Sequence, residues 1–139
     1  MKITIQRLND DVHMEAVNED GVSVNMDGTP DIGGKNLGFR PMQMLLAAAG
    51  GCSTIDIIGI LKKQRQELDD IKVEITGERI SLGDYTEFKT IHLHYILTGK
   101  LDKKKVERAI DLSLNKYCSV TKTLEKTATV TSSFDIADK

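Results

Sequence analysis

The sequence predicts one α+β domain over residues 1–139, with antiparallel sheets around a buried central helix. Three observations support this prediction. Segments of alternating apolar and polar residues stand near both ends of the chain and in its middle, and two helical patterns separate them. The order is strands, helices, two strands, helix and strand, without an internal repeat or a linker. A length of 139 residues supports a hydrophobic core but gives no reason to expect a second domain.

The first third of the chain predicts short antiparallel strands. The segment KITIQRL places Ile3 and Ile5 on one face, VHMEAV alternates, and GVSVNMDG ends at the turn dipeptide Asp27-Gly28. A glycine-rich loop, GTPDIGGKNLGF, follows. It is a weak candidate for a phosphate loop, because no Lys-Ser or Lys-Thr pair follows it and no helix starts directly after it.

The central segment MQMLLAAAGGCSTIDIIGIL predicts two helical pieces. The preceding proline suits the first position of a helix, and the first piece runs to Gly50-Gly51. Ser53 or Thr54 would cap the second piece, which is apolar nearly all round and is therefore expected to be buried. Asp56 is the exception in this piece, and it needs a partner, water or a place at the helix start.

The second half of the chain returns to a period of two residues. The segments IKVEITGERI and FKTIHLHYILTG predict two strands joined by the turn GDYTE. His92 and His94 share one face of the second strand, but without a third ligand nearby an exposed polar face is preferred to a metal site. Asp102 predicts the cap of a helix with a broad apolar stripe, and Cys118 lies near its end or in a following short helix. The segment TATVTSSFDI predicts the last strand.

Composition and charge argue against several classes of partner. A net charge of -2 and an aromatic content of 4% without tryptophan give neither the charge nor the stacking surfaces that nucleic-acid binding uses. No signal peptide is expected, because the N-terminal segment MKITIQRLND alternates apolar and polar residues. No membrane span is expected, because Asp56 and the run KKQRQ interrupt the richest apolar segment. The expected location is the cytoplasm, where Cys52 and Cys118 would be reduced. Their sequence spacing fits no zinc pattern, so no metal site is predicted.

The chemistry of the chain depends on Cys52. The thiolate is the reactive form of cysteine, and a helix N-terminus favours it. A cysteine that follows Gly50-Gly51 and opens a helix would have that environment. A buried, inert cysteine beside glycines that serve helix packing explains the same residues equally well. If the fold brings Cys118 close, a sulfenic acid on one thiol would condense with the other to a disulfide.

Two segments, GFRPMQMLLAAAGGCSTIDIIGIL and LNKYCSVTKTLEK, resemble the OsmC/Ohr family of thiol-dependent peroxidases, most closely its OsmC-like branch. The resemblance implies the OsmC-like fold, an intertwined homodimer with sites at the subunit interface, and no cofactor. It implies that Cys52 is the peroxidatic and Cys118 the resolving cysteine in the reduction of organic hydroperoxides or hydrogen peroxide. It also implies that a dithiol such as lipoamide returns the electrons.

The chain departs from the family pattern in one place. Family peroxidases have a glutamate directly after the proline, where it holds the arginine that activates the thiolate. Here Met42 and then the neutral Gln43 follow the proline. Arg40 is the candidate activating residue, and Arg7 is a second candidate. The leading hypothesis is a cysteine-dependent peroxidase of oxidative-stress defence, and the alternative is a non-enzymatic small-molecule-binding or redox-sensing protein.

Overall fold

The computed structural model describes residues 1–137, and the chain divides into two compact units. The first unit comprises Met1–Leu45, and the second begins at Leu46. The helix α1, Pro41–Lys63, is continuous through this boundary. The single domain over residues 1–139 stays a prediction.

The first unit contains a three-stranded antiparallel sheet in the order β1-β2-β3. Its strands are β1 (Thr4–Arg7), β2 (Met14–Val17) and β3 (Ser23–Met26). The short antiparallel strands predicted for this part of the chain are therefore confirmed. The glycine-rich loop that follows contains one turn of 3₁₀ helix, Pro30–Ile32.

Asp27 organises the glycine-rich loop. Its buried carboxylate accepts hydrogen bonds from the backbone N–H groups of Gly28, Lys35 and Leu37, at 2.8, 3.0 and 3.1 Å. The N–H groups of Lys35 and Leu37 hold the pKa of Asp27 below its ordinary value, because they stabilise the carboxylate. A carboxylate of the chain itself thus takes up amide groups that a phosphate would need, in agreement with the weak phosphate-loop signal.

The second unit contains a three-stranded sheet in the order β4-β5-β6. Its strands are β4 (Glu67–Ser81), β5 (Thr86–Lys100) and β6 (Thr129–Ala137). The predicted hairpin of β4 and β5 is confirmed and is antiparallel. The β5–β6 pair is parallel, which corrects the expectation of antiparallel pairing throughout. The reason is the long helical connection between these strands, which returns the chain to the end of the sheet where β5 starts.

Two helices and a π-helical turn form this connection. They are α2 (Lys103–Leu112), the π-helical turn Ser113–Tyr117 and α3 (Ser119–Leu124). Asp102 caps α2 as predicted, because its carboxylate accepts the Lys105 N–H at 3.0 Å. Cys118 lies between the π-helical turn and α3, as the N-cap residue of α3.

The continuity of α1 corrects the predicted break at Gly50-Gly51. Cys52 lies eleven residues after Pro41, so the free amide groups of a helix start are far from it. Gly50 is instead a point of close packing. A Cβ atom there would overlap the Cδ1 atom of Ile75 on β4, whereas a Cβ atom at Gly51 would meet nothing within 4 Å.

Within one chain, α1 buries a single face, although the sequence predicted burial all round. The buried residues are Ala49, Gly50, Ser53, Ile57 and Leu61. Ile55 and Ile58 are 73% and 43% exposed. By length and composition α1 is long and apolar enough to cross a membrane, a property that core helices of soluble proteins share. The expectation of no membrane span stays a prediction.

Candidate functional site

Three reactive side chains meet where the middle of α1 lies beside the start of α3. The Sγ atoms of Cys52 and Cys118 and a carboxylate oxygen of Asp56 all lie within 4.8 Å of one another. Cys52 and Asp56 are four residues apart, so they share one face of α1. Both cysteines are free thiols; Cys52 is half-buried and Cys118 is fully buried. The fold therefore brings together the two cysteines that the sequence analysis singled out.

The thiol of Cys118 is held by the first turn of α3. Its Sγ atom accepts the Thr121 N–H at 3.4 Å, and its own N–H donates to the Ser113 carbonyl at 2.7 Å. Burial raises the pKa of the Cys118 thiol; the hydrogen bonds with Thr121 oppose this rise, and the neighbouring Cys52 adds to it. Cys118 is therefore a positioned thiol whose neutral form is favoured.

Asp56 has the partner that the sequence analysis required. The buried Ser113 hydroxyl lies 3.0 Å from its Oδ2 atom, which it can reach as a donor, and 3.3 Å from the Ser53 carbonyl oxygen. Asp56 lies in the interior of α1, so a hydroxyl from the π-helical turn, and not the helix start, compensates for its partial burial. This contact orients the carboxylate beside the two thiols.

A buried hydrogen-bonded pair fixes α1 on β5 next to the thiols. The Tyr95 hydroxyl donates to Ser53 Oγ at 2.7 Å, and the Ser53 hydroxyl donates to the Ala49 carbonyl at 2.8 Å. Burial raises the pKa of Tyr95 to about 12; the Ser53 hydrogen bond opposes the rise, and negative charge on Cys118 or Asp56 adds to it. Tyr95 is thus a neutral phenol that positions the helix segment carrying Cys52.

A groove of about 540 Å³ begins at Asp56. Ile55, Ile60, Leu112 and Tyr117 supply most of its apolar wall, and Lys63 adds a cation. The groove therefore offers an apolar surface next to the thiol site.

Arg40, the candidate activating residue, lies in the first unit. Its guanidinium Nη1 is 3.4 Å from Asn36 Oδ1 and 3.5 Å from the Gly38 carbonyl oxygen. Its backbone N–H donates to Gln43 Oε1 at 2.9 Å, so the Gln43 carboxamide caps the first turn of α1 in the manner of a capping box. Activation of Cys52 by Arg40, or by Arg7, stays a prediction.

The histidines of β5 lie outside the thiol site. His92 and His94 face away from the buried side of the strand, as predicted. They contact hydroxyl groups on the neighbouring strand β6, and His94 Nε2 lies 3.1 Å from Asp135 Oδ2. These contacts satisfy the hydrogen-bonding groups of the two imidazole rings, as expected for a polar strand face.

Sequence reasoning missed three members of the site: Asp56, Ser113 and Tyr95. Asp56 carried a signal, since it stands one helical turn after Cys52 in an otherwise apolar segment. Ser113 and Tyr95 carried none, because they reach α1 from 57 and 42 residues away along the chain. The sequence also gave no reason to expect a set of three possible metal ligands.

The model of the family "OsmC-like protein" matches residues 33–133 of this chain. The chain belongs to the OsmC-like family. Protein YhfA of Escherichia coli K12 is 47% identical over 97 residues, which are 69% of this chain and 72% of YhfA. The resemblance that the cysteine motifs indicated is thus confirmed.

Solved structures share the fold of this chain. A hypothetical protein from Aquifex aeolicus VF5 superposes with a TM-score of 0.84 at 28% identity, covering 99% of this chain and 96% of its own. An organic hydroperoxide resistance protein OsmC from Legionella pneumophila superposes with a TM-score of 0.73 at 17% identity, covering 97% of both chains. The predicted α+β, OsmC-like fold is therefore confirmed.

Proposed function

We propose that this OsmC-like protein is a thiol-dependent peroxidase that reduces organic hydroperoxides or hydrogen peroxide in oxidative-stress defence. One observation carries the proposal: the half-buried Cys52 and the buried Cys118 have their sulfur atoms within 4.8 Å of each other. The Legionella pneumophila protein that shares this fold is an organic hydroperoxide resistance protein, which supports this choice of substrate.

Cys52 is the peroxidatic residue because it is the more accessible of the two thiols. Its thiolate attacks one oxygen of the hydroperoxide, the O–O bond breaks, and the leaving alkoxide takes a proton to become an alcohol. The peroxide gains two electrons, and Cys52 becomes a sulfenic acid.

Cys118 is the resolving residue. Its sulfur attacks the sulfenic sulfur of Cys52, a disulfide forms, and water leaves. The Asp56 carboxylate, within 4.8 Å of both sulfur atoms, is placed to accept the Cys118 proton in this step. A dithiol such as lipoamide then restores both thiols by exchange.

The groove beside Asp56 favours organic hydroperoxides over hydrogen peroxide. An alkyl or aryl group would cover the apolar wall of Ile60, Leu112 and Tyr117, and its transfer from water contributes about 25 cal/mol per Å² of apolar surface. Hydrogen peroxide has no group that gains this stabilisation. We therefore expect a lower KM for cumene hydroperoxide than for hydrogen peroxide.

We place the working protein in the cytoplasm as a homodimer that binds neither nucleic acid nor membrane. The exposed Ile55 and Ile58 on α1 support a partner subunit, which would remove them from water. Arg40 is the candidate group that stabilises the Cys52 thiolate.

Catalytic turnover tests the proposed activity. Reduced protein is mixed with an excess of cumene hydroperoxide and dihydrolipoamide, and the loss of peroxide is followed over time. The wild type is expected to consume many equivalents of peroxide per subunit, and Cys52→Ser none above background. Cys118→Ser is the matched control, because it keeps the nucleophile and removes the disulfide; it is expected to react at first and then slow down.

A non-enzymatic redox sensor is the second candidate function. The observation that favours it is Gln43, whose carboxamide caps α1 and carries no charge to hold an arginine. A sensor would consume one equivalent of peroxide per subunit, form the disulfide, and stop although dihydrolipoamide is present. Such a stoichiometric end point would contradict the peroxidase proposal and support the sensor.

A further inference from the structure

The thiol site also has the composition of a transition-metal site. Two sulfur atoms and one carboxylate oxygen lie within 4.8 Å of one another. A zinc ion bound at about 2.3 Å from sulfur and about 2.1 Å from oxygen places its ligands roughly 3.5–3.8 Å apart in a tetrahedron. Small side-chain rotations are therefore enough to bring the three atoms around one ion.

The three candidate ligands stand on two helices whose positions the fold determines. Cys52 and Asp56 lie four residues apart on α1, a spacing that directs two side chains to one point beside a helix. Cys118 is fixed at the N-cap of α3. An ion would thus meet a site assembled by the fold.

Hydrogen bonds around the site orient the ligands. The Ser113 hydroxyl contacts Asp56 Oδ2 at 3.0 Å, which leaves the other carboxylate oxygen able to bind an ion. The Thr121 N–H donates to Cys118 Sγ at 3.4 Å. Contacts of this kind, made to the ligands and not to the ion, orient metal ligands and strengthen binding.

We propose that the reduced protein binds one thiophilic divalent cation, of the zinc class, through Cys52, Asp56 and Cys118. Two thiolates select a soft or borderline ion over Mg²⁺ or Ca²⁺, and three protein ligands leave a fourth position for water. The cation takes the place of the thiol protons and compensates for the negative charges that two thiolates and a carboxylate would bring within 4.8 Å of one another.

Metal binding and peroxide chemistry exclude each other, since both use the two sulfur atoms; this part of the proposal rests on the proposed peroxidase function. Oxidation of the loaded site by a hydroperoxide and two protons yields the disulfide, an alcohol, water and the free cation. The two thiolates lose two electrons and the peroxide gains them. A bound zinc ion therefore protects the thiols, and their oxidation releases the ion.

Cobalt(II) is the probe for the binding test, because its thiolate complexes absorb in the near ultraviolet and its tetrahedral complexes absorb in the red. Titration of the reduced full-length protein is expected to show both bands, to saturate at one equivalent, and to lose them when Zn²⁺ is added. Cys118→Ser is expected to weaken the thiolate band, and Asp56→Asn to weaken binding by roughly 10-fold or more. The matched control is Asp135→Asn, which removes a carboxylate beside His94 and should leave the titration unchanged.

Absence of the thiolate band, or bands that Cys118→Ser and Asp56→Asn leave unchanged, would overturn the metal site. The redox arm compares zinc-loaded with metal-free protein during treatment with cumene hydroperoxide, with released zinc read by a chromogenic chelator. Slower oxidation of the loaded form and release of one zinc per disulfide are expected. If metal-free protein forms no disulfide, the peroxidase proposal fails while cobalt binding stands. If it does form one, equal rates for both forms would overturn the protective role.

Discussion

At the scale of single residues, the sequence was enough to single out the two cysteines as candidate site residues, but not to predict the side chains that surround them. Cys52 and Cys118 stand in motifs that the sequence displays, and the structure brings their sulfur atoms within 4.8 Å. The predicted cause of reactivity at Cys52 was wrong, because α1 does not begin there. Long-range partners such as Ser113 and Tyr95 leave no local pattern, so only the fold reveals them.

The buried Tyr95 should make the free energy of unfolding decrease with rising pH in the alkaline range. Its pKa is raised from 10.0 to about 12 in the folded state, so its contribution is complete below pH 10 and is lost as pH rises toward 12. Over this window the free energy of unfolding of the wild type should fall by on the order of 2 kcal/mol more than that of Tyr95→Phe, which has no phenol to ionise at this position. Urea unfolding at several pH values measures the difference between the two proteins.

The exposed Tyr85 provides the control for this experiment. Tyr85→Phe removes the same hydroxyl group from a solvent-exposed position and should follow the wild-type pH dependence. Parallel curves for wild type and Tyr95→Phe would contradict the stated environment of Tyr95.

At the scale of elements, most helices and strands followed from their patterns. The alternation in β4 and β5 and the Asp102 cap of α2 were predicted and are confirmed. The parallel β5–β6 pair was not, since strand direction depends on the whole connection and not on the strand itself. In α1, two glycines suggested a break, but Gly50 serves packing within a continuous helix.

Gly50 and Gly51 form a matched pair for testing this role. Alanine improves intrinsic helix propensity at either position by about 1 kcal/mol. At Gly50 the new methyl group overlaps Ile75 Cδ1, the end of a flexible side chain that has to shift to make room, so part of the gain in helix propensity is lost. In urea unfolding, Gly50→Ala should therefore be less stable than Gly51→Ala by up to about 1 kcal/mol.

A double variant identifies the atom responsible. Ile75→Val removes the Cδ1 atom, so the cost of Gly50→Ala should shrink when both changes are combined. Equal stability of the two alanine variants, or strictly additive effects in the double variant, would count against close packing at Gly50.

At the scale of the whole molecule, family membership and fold class were predictable from the cysteine motifs and the order of elements. The sequence shows correctly that α1 is apolar nearly all round, but the chain itself buries only one face of this helix. In a homodimer, the exposed apolar face of α1 would form part of the subunit interface.

The proposed homodimer can be weakened by one charge on α1. Ile58→Lys places an ammonium group on the exposed apolar face, and burying it unpaired in an interface should raise the dimer dissociation constant at least 10-fold. Sedimentation velocity over a concentration series measures this change. Thr123→Lys adds the same charge at an exposed position on α3 and should leave the dimer intact. A monomeric wild type would refute the proposed assembly.

The most direct test of the proposed peroxidase is the product of one turnover. Reduced protein is treated with one equivalent of cumene hydroperoxide without any reductant, and its intact mass and a peptide map are recorded. We expect the loss of two hydrogen atoms per subunit and a disulfide that joins Cys52 to Cys118, while Cys52→Ser stays unchanged. An unchanged mass, or added oxygen with the two cysteines unlinked, would contradict the account.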